Sequence, residues 1–133
     1  MWKRLIAISV SAMIASAAHA AGAVETLPSG VKVEITREGT GAQPSATDVV
    51  KVRYRGTLAD GTEFDNSEKH GGVATFPLNR VIPCWTQGVQ KLRVGGKAKL
   101  TCPPETAYGS RGIGPIPPNS TLNFEVELVD IVK

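Results

Sequence analysis

The chain has 133 residues, 15 of them basic and 12 acidic, with a formal net charge of +3 and 41% apolar residues. That length and composition suit one globular domain built on a single core. The charges mix in sign, which excludes the one-signed stripe of a nucleic-acid binder and the polybasic patch of a membrane-surface protein.

The first segment is Met1-Trp2-Lys3-Arg4, then the apolar run from Leu5 to Ala17, then the small-x-small site Ala18-His19-Ala20. Basic, apolar and small residues in that order define a secretory signal peptide over 1–20. The apolar run is shorter than the roughly 20 residues that span a bilayer. Cleavage is expected after Ala20, giving an exported protein. Its expected place is the periplasm (or the medium, as a secreted protein), with no membrane attachment once the signal is gone. Losing Lys3 and Arg4 leaves 13 basic residues against 12 acidic, so the basic balance belongs largely to the signal.

Residues 21–30 show no period and read as a flexible lead-in, leaving 31–133 as the folded domain. Val31, Val33 and Ile35 alternate in a first strand that Gly39-Thr40-Gly41 ends. From Val49 to Leu58, Val50, Val52, Tyr54 and Leu58 share one face and Lys51, Arg53 and Arg55 the other, as in a sheet wet on one side. Asp60-Gly61 is a hairpin turn into Thr62–Asp65. Residues 66–74 read as a loop or flap before a short strand, Thr75–Leu78. Pro83 suits a helix start, and Trp85, Val89 and Leu92 at i, i+4 and i+7 predict two to three turns, stopped by Gly95-Gly96. Lys97–Cys102 alternates again. The Pro- and Gly-rich stretch from Pro103 to Asn119 is a loop long enough to imply function. Leu122, Phe124, Val126 and Leu128 then mark the last strand.

These elements make an α+β fold, an antiparallel sheet of five to six strands with one short helix, whose apolar faces must cover each other. Cys84 and Cys102 are the only cysteines. Export places them where thiols pair, and a bridge would contribute about 3 kcal/mol if unstrained. Two separate buried thiols are the alternative.

Conventional chemistry is hard to find. His19 leaves with the signal and His70 stands alone, so no metal site and no cofactor are expected. No serine sits in a nucleophile elbow, and no phosphate loop or dinucleotide fingerprint occurs. The nearest carboxylate pair, Glu63 and Asp65, is expected on opposite faces of its strand. Asn119-Ser120-Thr121 matches a glycosylation sequon but reads better as the turn that launches the last strand. What remains is an aromatic set, Tyr54, Phe64, Trp85, Tyr108 and Phe124, flanked by Val81-Ile82-Pro83-Cys84. Core packing accounts for Tyr54 and Phe124 singly, whereas the polar handles of Trp85 and Tyr108 favour a pocket.

The motifs Val50–Leu58 (VKVRYRGTL), Asp60–Asp65 (DGTEFD), Val81–Trp85 (VIPCW), Gly95–Thr101 (GGKAKLT), Tyr108-Gly109 and Ile116–Leu128 (IPPNSTLNFEVEL) resemble, in order, the FKBP-type peptidyl-prolyl cis-trans isomerases. The resemblance implies a curved sheet wrapped around the helix, with a substrate proline between them. It implies catalytic roles for Asp65, Tyr108, Trp85 and Phe124, with Trp85 as the pocket floor and Asp65 as its carboxylate. Tyr54, Phe64, Val81 and Ile82 would line the pocket and Ile116 its loop rim. The Ile82 N–H and the Tyr108 hydroxyl would donate to ligand carbonyls. The partners implied are proline-containing polypeptides, with macrolides of the tacrolimus and rapamycin type as inhibitors of a monomer. Three positions depart from the family pattern: His70 replaces an Arg that pairs with the Asp, Ala74 replaces a rim Phe, and the segment between Leu78 and Val81 is shorter. A pocket kept only for partner binding is the competing reading, which the joint presence of Tyr54, Phe64, Asp65, Trp85 and Tyr108 disfavours.

Overall fold

The structure, a computed structural model, describes residues 24–132; the expected signal peptide lies outside them. Seven strands form one open antiparallel sheet: β1 (Val24–Thr26), β2 (Lys32–Arg37), β3 (Val49–Leu58), β4 (Glu63–Asn66), β5 (Ala74–Pro77), β6 (Lys97–Cys102) and β7 (Leu122–Val132). Their order is β1-β2-β6-β7-β3-β4, with β5 also paired to β3. Among the described residues there is one short α-helix, α1 (Pro83–Gly88), which lies against one face. The α+β expectation stands, with one strand more than foreseen.

The extra strand is β1, inside the segment read as a lead-in. Its three residues are all exposed, so no apolar alternation announces it. It is fastened by other means: Leu27 is buried just beyond it, Glu25 pairs with Lys91 at 3.2 Å, and the Ser29 hydroxyl bonds the Gln87 side chain.

At the centre, β3 runs beside β7 along its whole length. The alternation that predicts β3 puts Val50, Val52, Tyr54 and Gly56 inward and Lys51, Arg53 and Arg55 outward. Lys51 of β3 pairs with Asp130 of β7 while Val52 pairs with Leu128, so Val129 is an extra residue in β7. Such a bulge shifts the inward phase, from Leu128 to Ile131 rather than to Asp130. The strand therefore runs on to Val132, past the end of its simple alternation.

Helix α1 is shorter than its apolar spacing suggests. It is extended by a 3-10 turn, Val89–Lys91, and Leu92 is already extended, so the helix ends before Gly95-Gly96. The spacing still does its job, because Trp85, Val89 and Leu92 are all buried against the sheet. Each such side chain contributes about 1.5–3 kcal/mol through burial. Close packing is set by Gly88, where a Cβ would lie 2.8 Å from Leu100 Cδ2. Cys84 and Cys102 are joined, Cα atoms 5.6 Å apart, tying α1 to β6.

The other edge of β3 is shared. β4 pairs with its far half, at residues 55–57, and β5 with its near half, at residues 49–52. Between them the chain leaves the sheet in a 3-10 turn, Ser67–His70. This leaves the Tyr54 N–H without a strand partner, and the buried Ser67 hydroxyl accepts it at 3.0 Å.

Candidate active site

An open cavity of about 790 Å³ sits on the inner face, between the sheet and α1. That volume falls within the range of about 300–1,000 Å³ common for ligand sites. Trp85 meets three rings edge-on: Tyr54 at 5.1 Å, Phe76 at 5.5 Å and Phe124 at 5.3 Å between centroids. Phe64 meets Phe124 in the same way at 5.6 Å. Such pairs add about 0.5–1.5 kcal/mol each beyond burial and hold the rings at fixed angles. Trp85 Nε1 is buried and makes no hydrogen bond among the described residues.

Gly56 explains how the rings come so close. It is buried opposite Asp65, and a Cβ there would lie 2.6 Å from Phe64 Cζ and 2.8 Å from Phe124 Cε1. Only a residue without a side chain fits under both rings.

One carboxylate serves this apolar site. Asp65 Oδ2 accepts the Tyr54 hydroxyl at 2.7 Å, and Oδ1 accepts the Asn66 N–H at 2.9 Å and faces His70 Nε2 at 3.2 Å. Burial, and then the bond to Asp65, holds the Tyr54 hydroxyl well above its ordinary range. Burial and the nearby Asp65 charge push Tyr108 up as well. Both tyrosines are thus hydrogen-bond donors at any ordinary pH. The Tyr108 hydroxyl has no partner among the described residues, nor has the Ile82 N–H, while the Ile82 carbonyl accepts from Trp85 and Thr86 N–H at 2.9 and 3.2 Å. Two donors therefore stand free beside one satisfied acid.

Glu63 does face away from Asp65, although simple alternation would put residues two apart in a regular strand on one face. Gly56 pairs with Asp65 and Thr57 with Glu63, so Phe64 is an extra residue that turns them apart. Glu63 instead binds Arg55 at 2.7 Å on the outer face.

The structure brings Tyr54, Phe64, Asp65, Val81, Ile82, Trp85, Tyr108 and Phe124 together as lining. Ile116, expected at the rim, is a correction: it is buried and does not line the cavity. Paired N–H to carbonyl bonds between Ile113 and Ile116 fold the loop back, turning Ile116 inward and leaving Ile113 exposed at the tip. Asn119, at φ 58°, makes the anticipated turn before β7.

Several contributors escaped sequence reasoning, Val73 and Thr75 on the lining among them. Phe76 lines the cavity in phase with Ala74 and Leu78, a signal lost by starting that strand one residue late. Gly56 lies inside the conspicuous motif around Tyr54. Ser67 and Arg80 carry no signal in the sequence alone. Among the described residues there is no cluster of three or more metal-ligating side chains and no free thiol.

Residues 40–129 match the model of the FKBP-type peptidyl-prolyl cis-trans isomerases, and the chain belongs to that family. It is 54% identical over 110 residues to the FKBP-type peptidyl-prolyl cis-trans isomerase FkpA of Aeromonas hydrophila, covering 83% of this chain and 41% of that protein. It is 45% identical over 111 residues to the outer membrane protein MIP of Legionella longbeachae, covering 83% and 48% respectively. The chain thus spans less than half the length of either relative. A crystal structure of a peptidyl-prolyl cis-trans isomerase from Pseudomonas syringae superposes with a TM-score of 0.78 at 33% identity, covering 100% of this chain and 98% of that one. Among the described residues no helix is long and apolar enough to cross a membrane.

Proposed function

We propose that this chain is a peptidyl-prolyl cis-trans isomerase that turns Xaa-Pro bonds in exported polypeptides, in the periplasm or outside the cell. The observation that carries the reading is an open apolar cavity with an indole floor and unused donors at its edge. Rotation about the bond breaks amide resonance against a barrier of ~18–20 kcal/mol but moves no proton and joins no second reactant. A 10⁶-fold acceleration asks for about 8 kcal/mol, whereas one hydrogen bond supplies about 1–3 kcal/mol. Neither Asp65 nor Tyr108 alone suffices.

The planar amide is the more polar form and is favoured by water; the twisted form loses less in an apolar cleft. Seating the proline against Trp85, Phe124, Tyr54, Phe64 and Phe76 narrows the gap, and the Ile82 N–H and Tyr108 hydroxyl hold the carbonyls on either side through the twist. Asp65 sets the Tyr54 ring and one end of the cleft. No cofactor takes part, the protein acts as a monomer, and tacrolimus- or rapamycin-type macrolides occupy the same cavity. A protease-coupled isomerisation assay on short proline peptides, with and without rapamycin, tests the reading. Acceleration abolished by the macrolide is expected. Peptide binding without acceleration would make the domain a binding module instead.

A further inference from the structure

Arg80 lines the cavity, yet no carboxylate lies within ion-pairing distance of it among the described residues. It closes the 3-10 turn Leu78–Arg80, which is braced on both sides. Leu78 is fully buried, its N–H donates to the Asp48 carbonyl at 2.9 Å, and its own carbonyl accepts the Thr86 hydroxyl of α1 at 2.6 Å. The backbone carrying Arg80 is therefore fixed to the helix that supplies the floor.

Apart from the two tyrosines, the other ionisable side chains lining the cavity, Asp65 and His70, come from β4 and the turn after it. Asp65 is already committed to Tyr54, Asn66 and His70. Glu68 and Lys69, on the same turn as His70, are not lining residues. Arg80 is thus the lining charge without a partner, beside low-dielectric aromatic walls that extend its field. A cation so placed does nothing for an isolated proline ring. It acts on whatever side chain stands next to that proline.

Resting on the isomerase reading, we propose that Arg80 is a specificity-determining residue, favouring polypeptides with Asp or Glu within one or two positions of the proline. An acidic neighbour gains a partner that an uncharged one lacks. Because both groups stay largely solvated, the gain is that of an exposed pair, about two- to fivefold in affinity, and it fades with salt.

The test uses matched peptides carrying Glu or Gln immediately before, or immediately after, the proline, at low and high salt. Both catalytic efficiency and calorimetric affinity are read as Glu/Gln ratios, so that a general loss from mutation cancels. Expected is a ratio of about two to five in at least one position. It should fall to about one in Arg80→Gln, drop below one in Arg80→Glu, and shrink toward one at high salt. A ratio of one in the parent protein, or one that survives Arg80→Gln, overturns the proposal. Were no peptide isomerised, the isomerase reading would fail, while the binding ratios would still decide the role of Arg80.

Discussion

The two faces of β3 and β7 use the same backbone for opposite ends. Outward, Arg37, Arg53 and Arg55 meet Glu127, Glu125 and Glu63 across neighbouring strands, each cation matched by a carboxylate at 2.7 to 3.9 Å. Inward, a single acid stands among rings, with donors left unused. The outer face is polar, paired and tolerant, because exposed pairs contribute only about 0–1 kcal/mol each. The inner face is apolar, geometrically exacting and incompletely satisfied, which is the condition of a surface awaiting an occupant.

The sharpest way to separate the faces is Phe124→Ala, which removes a ring that touches both Trp85 and Phe64. It is expected to cost about 3–5 kcal/mol in urea unfolding and to lower catalytic efficiency on a proline peptide by about tenfold or more, roughly 1.4 kcal/mol of barrier. Unchanged efficiency would end the apolar-cavity account. Gly56→Ala should cost about 1–3 kcal/mol by overpacking, with a weaker peptide affinity by calorimetry as the two rings are forced apart.

Titration distinguishes the faces by sign. Tyr54 is held above its ordinary range of about 10, so above that pH the unfolded chain releases a proton the folded chain retains, and stability falls as pH rises. Glu63 is held below the carboxylate range, first by its bond to Arg55, so its contribution is present at neutral pH and is lost as pH falls through that range. Melting temperature followed from pH 9 to 11 should drop less steeply in Tyr54→Phe than in the parent. The smallest effect belongs to Glu127→Ala, which unpairs Arg37 and Arg53. Less than about 1 kcal/mol, vanishing in high salt, and no change in isomerase rate are expected.

Legibility in the sequence followed regularity. β3 and β6 begin and end where strict alternation says they should, and the Asp60-Gly61 turn falls where a positive φ is needed. Where a bulge interrupts the period, at Phe64 and Val129, the pattern misleads about facing or length. β1 escaped because a three-residue strand exposed throughout has no apolar phase. At the site, most of the residues that line the cavity are large and conspicuous. Those that make room for them are small: Gly56 is recognisable only by what a Cβ would strike, and Ser67 only by the N–H it completes. Ile116 shows the converse, a conspicuous apolar residue that the loop's own hairpin bonds turn into the core.

The shared edge of β3 has a further bearing on how such a protein diversifies. The excursion carrying His70 and Val73 starts and finishes on one rail, anchored by β4 at one end and β5 at the other, with a serine hydroxyl standing in for the missing rung. Residues can be exchanged, gained or lost within that detour while the rungs on either side keep their register. Selection can therefore retouch the mouth of the cleft while leaving its base alone.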